Sequence, residues 1–266
     1  MTKIDKLMDL SGRRALITGA TGGLGRMMAH TLAELGADLV LLDRPGTPLE
    51  EQAADIAKVA NVDSTVQYCD LEKHEEREAL IAGLRQEGSL DILINNAAFV
   101  GTSGLHGWAV PFAEQSVETW RRALEVNLTA VFHLSQGLMP LLQTSGRGSI
   151  VNIGSIYGEC GPDWGLYEGT AMSNPAGYGA SKGGLLQLTR WLATTVAPVV
   201  RVNAISPGGI VRGQSSSFVK RYEKRTPLGR MATEDDFRGA IVFLASEMSA
   251  YVTGQNLFVD GGWSVW

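Results

Sequence analysis

Seven short runs rich in Val, Ile and Leu punctuate this chain, and longer amphipathic stretches fill the intervals between them. The runs are RRALITG (13–19), ADLVLLD (37–43), STVQYC (64–69), DILINNA (91–97), GSIVNIGS (148–155), VVRVNAIS (199–206) and NLFVDGG (256–262). Within them the apolar residues run together and do not alternate strictly with polar ones. That pattern fits strands buried on both faces, as in a parallel sheet covered by helices. The intervals predict helices over about 23–35, 49–60, 74–87, 116–143, 175–197 and 233–246. In the last of these Thr233 precedes EDDF, an N-cap followed by first-turn acids. Strand–helix alternation of this kind predicts an α/β protein, a doubly wound parallel sheet of about seven strands flanked by helices. No linker or internal repeat interrupts it, so residues 1–266 are expected to form a single domain.

Composition narrows the function. Glycine is abundant, 32 of 266 residues, with only 9 prolines and no Gly-X-Y period, so the glycines belong to a folded backbone and not to a collagen-like repeat. A net charge of −5 disfavours a general nucleic-acid binder. No run approaches the roughly 18 apolar residues of a membrane span, and the first residues lack the plan of a signal peptide. Cys69 and Cys160 make no disulfide framework, and the four histidines show no i, i+4 pair. A soluble cytoplasmic protein without a metal, a membrane or a nucleic-acid partner is expected. Two long segments after strands, 98–115 and 156–174, are candidate substrate loops, because ligands bind at the carboxyl ends of strands in open α/β sheets. A third candidate covers about 210–230.

The first run leads into Thr18-Gly-Ala-Thr-Gly-Gly-Leu-Gly25. A tight turn, close approach to a pyrophosphate and close helix–strand packing each exclude a Cβ. The following helix would aim its free N–H groups at the phosphates. Gly19, Thr21, Gly23, Leu24 and Gly25 are therefore candidate cofactor contacts in a Rossmann-type fold. Asp43 ends the second run and can accept from both ribose hydroxyls of NAD, while repelling a 2′-phosphate. The neighbouring Arg44 leaves NADP open as the alternative.

Tyr178 and Lys182 are four residues apart at the start of a predicted helix, which puts both on one face. A free phenol is a poor base at neutral pH, and a lysine cation one turn away favours the phenolate. Ser155, at the end of the fifth run, can donate to a reacting oxygen. The Tyr-x-x-x-Lys string taken alone is a frequent accident. The order TGxxxGxG (18–25), Asp70, NNAA (95–98), Asn127, Ser155, YxxxK (178–182) and PGG (207–209) carries more, and it resembles the short-chain dehydrogenase/reductase family from Gly12 to Gly262.

That resemblance implies an NAD(P)-dependent dehydrogenase/reductase acting on CH–OH groups. It implies that Asp70 and Leu71 line the adenine pocket, and that Asn95, Asn96 and Ala97 steady the central strand beside the cofactor. It implies a catalytic set of Asn127, Ser155, Tyr178 and Lys182, with Asn127 holding a water that links the lysine to solvent. Tyr178 and Lys182 also belong to the cofactor site, where the lysine holds the nicotinamide ribose. Pro207, Gly208 and Ile210 belong to the loop over the nicotinamide. It further implies a homotetramer built on the two long helices.

Two departures mark this chain. Arg212 stands where the family often has a carboxamide-contacting threonine. Ser155 and Tyr178 are 23 positions apart, about twice the family's usual spacing, and the extra residues include Trp164, Tyr167, Glu168, Thr170 and Met172. Trp164, Tyr167, Glu168 and Arg212 are candidate substrate contacts. The strings DWGLYEGTAMSNPAGY, SFVKRYEKRTPLGRM and GQNLFVDGGWSVW resemble the flagellin-modification and polysaccharide-biosynthesis branch of the family, which implies a sugar, sugar phosphate or nucleotide-sugar substrate. Lys220, Arg221, Lys224 and Arg225 read either as phosphate contacts or as a solvated helix face. His106 and Trp108 read either as substrate wall or as loop packing. Tyr157 and Tyr167 lack a lysine four residues on, so neither qualifies as the catalytic tyrosine. The expected function is NAD(H)-dependent interconversion of a secondary alcohol and a ketone on a carbohydrate-like small molecule. The alternatives are a 3-oxoacyl thioester or small polyol reductase, and a cofactor-binding protein without turnover.

Overall fold

The computed structural model describes residues 2–100 and 105–266. Arg14–Thr18 (β1), Asp38–Asp43 (β2), Ser64–Tyr68 (β3), Ile92–Asn95 (β4), Gly148–Ile153 (β5), Val200–Pro207 (β6) and Asn256–Val259 (β7) form one parallel sheet. Its order is β3-β2-β1-β4-β5-β6-β7, so the chain reverses its direction of winding between β1 and β4. Each of the seven apolar runs is a strand. Their continuity has a simple cause: Ala15 and Ile17 face one helical layer while Leu16 faces the other, and both layers are dry.

The helices are Ile4–Met8 (α1), Gly23–Glu34 (α2), Leu49–Ala57 (α3), His74–Leu84 (α4), Val117–Leu124 (α5), Ala130–Thr144 (α6), Ala176–Val196 (α7), Ser216–Arg225 (α8) and Arg238–Ala245 (α9). α2 and α9 pack on one face of the sheet with Phe237, Ile241 and Leu244; α4 and α6 cover the other with Leu80, Leu134 and Leu138. No described helix is long and apolar enough to cross a membrane.

Three local results depart from the sequence expectation. The helix expected over 116–143 is interrupted by a π-turn, Glu125–Thr129, between α5 and α6. Such turns insert one extra residue and commonly mark functional positions, and this one carries the buried Asn127. The final helix begins as a 3₁₀ turn, Glu234–Phe237, where the Thr233 N–H donates to Asp236 Oδ2 at 2.8 Å. The segment 210–230 contains α8, which is anchored by only two buried side chains, Phe218 and Tyr222, at i and i+4. A pattern with so few apolar residues gives the sequence little periodicity to read.

A third, smaller core lies beyond the carboxyl ends of the strands. Ile156, Leu166, Phe218, Tyr222, Met231 and Trp263 gather there, joining the 156–174 insert to α8 and the segment after β7.

Candidate active site

At the β1/β4 reversal a cavity of about 760 Å³ opens over the carboxyl ends of the strands. A cavity of this size suits a cofactor and a small substrate. Its floor is the glycine turn. Gly19 adopts φ +64°, and a Cβ there would stand 2.8 Å from Ala97 Cα. A Cβ on Gly25 would stand 2.1 Å from the Gly19 carbonyl oxygen. No side chain fits either position. Asn96 Nδ2 donates to the carbonyls of Thr18 (2.9 Å) and Gly19 (3.0 Å), so the Asn-Asn element fixes the turn directly. Asn95 Nδ2 instead donates to Asn152 Oδ1 at 2.8 Å, joining β4 to β5. α2 starts at Gly23, and the first N–H groups of a helix have no intrahelical partner. With Gly19, Thr21, Gly23 and Leu24 along the cavity wall, the residues fit a pyrophosphate.

The adenine-side candidates Asp43, Arg44, Asp70 and Leu71 also line the cavity, together with Thr47, Cys69 and Glu72. Asp43 accepts from the backbone N–H and hydroxyl of Thr21 and from the N–H of Arg44. Asp70 caps its own loop, with Oδ1 accepting from the Glu72 N–H at 3.1 Å. Glu72 accepts from Arg122 through both oxygens, and the Arg122 guanidinium stacks 5.0 Å above the Phe99 ring. Arg122 and Phe99 line the cavity and have no sequence signal, since their neighbour Glu72 is 50 positions from Arg122.

At the far end of the cavity Ser155, Tyr178 and Lys182 come together. Ser155 Oγ accepts from the Tyr157 N–H at 3.2 Å, which leaves its own proton to give. Lys182 is buried, donates to the Ile153 carbonyl at 2.7 Å, and holds its Nζ 5.9 Å from the centre of the Tyr178 ring. Burial depresses its ammonium to about 8. Burial also pushes the Tyr178 phenol up, and the Ser155 hydroxyl and the Arg212 cation pull it partly back. Asn127 is fully buried. Its Nδ2 donates to the Phe99 carbonyl (3.2 Å) and to Ser181 Oγ (3.0 Å), and its Oδ1 accepts from the Phe99 N–H (2.6 Å). It holds the loop after β4, and only one carbonyl lone pair is left for a water.

Pro207, Gly208 and Ile210 line the cavity above this end. The Gly209 N–H donates to Tyr222 Oη at 2.5 Å, so α8 is coupled to this loop. Arg212 lines the cavity between the two ends: its Nε donates to Glu234 Oε1 at 3.1 Å, both side chains sit against Gly23, and its cation acts on the Tyr178 phenol.

Of the other candidate substrate residues, Tyr167 lines the cavity with Met172, whereas Trp164 and Glu168 are exposed and lie outside its lining. Ala98, Phe99 and Val100 line it from the 98–115 segment; 101–104 lie outside the described residues. Trp108 packs edge-on to Phe99 and donates to the Val100 carbonyl, and the exposed His106 offers only its carbonyl to Thr119. Two members of the basic run are structural ties. Arg221 donates to the carbonyls of Leu166 (2.8 Å) and Glu168 (2.6 Å); Arg225 pairs with Asp163 at 2.9 Å and stacks 4.5 Å over Trp263. Folding also gathers His74, Glu78 and His133, which the sequence leaves scattered, so that their ligand atoms lie within 4.8 Å of one another. Arg77 Nε points its proton at His133 Nδ1 while Glu78 meets Nε2 at 2.6 Å, the arrangement of a surface ion network.

Known proteins resemble this chain over nearly its whole length. Residues 19–264 match the family model described as enoyl-(acyl carrier protein) reductase. A tropinone reductase homolog of Arabidopsis thaliana is 36% identical over 270 residues, covering 98% of this chain and 96% of that protein. The crystal structure of a short-chain type dehydrogenase/reductase from Mycobacterium marinum superposes with a TM-score of 0.85 at 29% identity, covering 99% of each chain. That of a gluconate 5-dehydrogenase from Burkholderia cenocepacia, in complex with NADP and tartrate, does so with 0.83 at 32% identity, covering 99% of this chain and 100% of the other.

Proposed function

The chain belongs to the short-chain dehydrogenase/reductase family, an enzyme family acting on alcohol and ketone groups, and from that premise we propose that it interconverts a secondary alcohol and a ketone on a neutral, carbohydrate-like small molecule, with NAD as cofactor. The observation that carries this reading is the convergence of Ser155, Tyr178 and Lys182 in the cavity beside β5, three strands from Asp43 at the end of β2.

A bound nicotinamide supplies or takes up the hydride. The chain's own residues handle the proton. The raised phenol of Tyr178 is protonated at neutral pH, and in the reducing direction it gives that proton to the carbonyl oxygen. Ser155 donates its free proton to the same oxygen as negative charge develops there. In the oxidising direction Tyr178 takes the hydroxyl proton. Below about pH 8 the Lys182 ammonium favours the phenolate needed for that step. Asn127 fixes the loop after β4 against α7 and so keeps this end of the cavity in register.

The preference for NAD rests on Asp43, whose carboxylate at the end of β2 faces a 2′-phosphate with repulsion. The substrate assignment rests on charge. The acidic side chains lining the described cavity, Asp43, Asp70 and Glu72, are all on the adenine side, so no carboxylate greets an amine such as a tropane nitrogen. Arg221 and Arg225 are committed to the insert and are not available to a sugar phosphate. The loop strings that resemble the polysaccharide-biosynthesis branch favour an oxygen-rich, sugar-like class. A homotetramer is supported by Trp120, Phe132 and Trp191, large apolar side chains exposed on α5, α6 and α7.

The test is a panel of ketones and polyols assayed by nicotinamide absorbance with NAD(H) and NADP(H). Tyr178→Phe is expected to lower turnover by about 10²–10⁴-fold with cofactor binding retained. Wild-type rates in that variant overturn the assignment.

A further inference from the structure

The insert between Ser155 and Tyr178 places two phenols side by side in the wall of the cavity. Tyr157 Oη and Tyr167 Oη are 2.8 Å apart, and both residues line the cavity. Each phenol carries one O–H proton. Whichever donates to the other, the second proton has no acceptor among the described residues. Asn174 stands behind both phenols, is only 8% exposed, and its Nδ2 has no partner other than the phenol oxygens. An amide donor behind the pair turns the remaining phenol proton towards the cavity, and a donor without an acceptor there is costly until an oxygen meets it.

The arrangement is rigid. The Tyr157 ring meets Trp263 edge-on with centroids 6.1 Å apart, and Tyr167 packs between Phe218 (5.6 Å) and Trp164 (5.9 Å). Arg221 clamps the carbonyls of Leu166 and Glu168 on either side of Tyr167. Burial pushes both phenols up, so both keep their protons and remain donors at neutral pH. Tyr167 is also near enough to Tyr178 to raise its phenol, which places the pair next to the reacting end of the substrate.

We propose that Tyr157 and Tyr167, backed by the buried Asn174, form a second hydrogen-bonding station that holds a neutral oxygen of the substrate, a hydroxyl or carbonyl near the reacting carbon, and so selects hydroxylated ketones and polyols over monofunctional ketones. The proposal rests on the oxidoreductase reading above. A neutral oxygen suits the station because the two α8 cations that reach the insert, Arg221 and Arg225, are bound to Leu166, Glu168 and Asp163. The station separates two oxygens by role: Ser155 and Tyr178 hold the one that reacts, and the phenol pair holds the one that does not.

The experiment compares kcat/KM for cyclohexanone and its ring-hydroxylated derivatives in wild type, Tyr157→Phe, Tyr167→Phe and the double variant. Phenylalanine keeps the ring packing and removes only the hydroxyl. The wild type is expected to favour at least one hydroxylated ketone by about tenfold or more, the effect of one well-placed hydrogen bond. The double variant is expected to lose that ratio, with a larger fall for the hydroxylated ketone than for cyclohexanone. A wild type indifferent to the hydroxyl, or variants that lose equally on both ketones, overturns the station while leaving the function intact. The wild-type ratio decides this even if a variant fails to fold. Tyr178→Phe is run beside them: if it retains turnover, the function reading fails independently of the ratio. If wild type turns over no member of the series, the station fails as a selector of hydroxylated ketones, and the function stands or falls on the ketone and polyol panel above.

Discussion

Asp43, the last residue of β2, accepts the backbone N–H of Thr21 at 3.0 Å and the Thr21 hydroxyl at 2.6 Å. One carboxylate thus ties the second strand to the glycine turn that follows the first. It has two consequences for a dinucleotide bound as proposed, since it shapes the turn and would also face the ribose. Asp43→Ala is expected to weaken NADH binding by about tenfold and to bring the NADH and NADPH dissociation constants together, from the loss of one charged hydrogen-bonding group. Fluorescence titration with both cofactors measures this. An unchanged ratio contradicts the assigned role.

The buried Lys182 predicts a pH dependence of stability. Its ammonium titrates near 8 in the folded protein and near 10.5 once unfolded. Between those values the unfolded state holds a proton that the folded state has released. Folding is therefore favoured as pH rises through 8, and the burial penalty is fully present below it. Tyr178 has the opposite sign but acts only above its ordinary value near 10, because its folded phenol is raised. In the window from pH 8 to 10, wild type should gain on the order of 2 kcal/mol relative to Lys182→Met. Urea denaturation of both proteins at pH 7, 8, 9 and 10 supplies the comparison, and parallel curves would exclude the depressed lysine.

Glu234 stands against Gly23 and holds Arg212 by a single ion pair, with half of the Arg212 side chain exposed. A carboxylate beside the phosphate turn repels a pyrophosphate, and an arginine there attracts one. Glu234→Gln is expected to tighten cofactor binding about three- to tenfold, and Arg212→Met to weaken it by a similar factor, the range for one exposed charge. Equal effects of both substitutions on substrate KM, with cofactor affinity unmoved, would assign Arg212 to the substrate and not to the pyrophosphate.

Arg225 links three segments through its pairing with Asp163 and its stacking on Trp263, and Trp266 Nε1 donates to its carbonyl at 3.1 Å. Both partners of the ion pair are about one-third exposed, so the pair itself contributes little. With the cation–π contact included, Arg225→Leu should destabilise by about 1–2 kcal/mol and lower Tm by a few degrees. The more telling readout is limited proteolysis, which should cut within 156–174 in the variant and not in wild type. A resistant insert would show that other contacts hold it.

What the sequence by itself determined is what acts within a few residues. Buried strands leave contiguous apolar runs, so β1, β2, β4, β5 and β6 were readable with their helical partners, and the half-exposed edge strands β3 and β7 by their β-branched and aromatic residues. The positions of Gly19 and Gly25 were readable because a Cβ there collides with backbone close by in the chain or across the next strand. Tyr178 and Lys182 were readable because four residues make one helical turn. Thr233 announced its own cap.

Only the tertiary structure decided the rest. Arg225 meets Asp163 across 62 positions, Arg122 meets Glu72 across 50, and Asn127 meets Ser181 across 54. Nothing local distinguishes these residues from solvated ones, so Arg221 and Arg225 could read as phosphate ligands until the insert folded onto them. The same holds for Tyr157 and Tyr167. By spacing alone they could be ruled out as catalytic tyrosines, but not recognised as partners. Their hydroxyls are joined only because α8 and the segment after β7 press the glycine-rich insert into one shape over the site. Periodicity and steric exclusion are properties of neighbours in sequence; a hydrogen-bond partner is a property of where the chain returns in space.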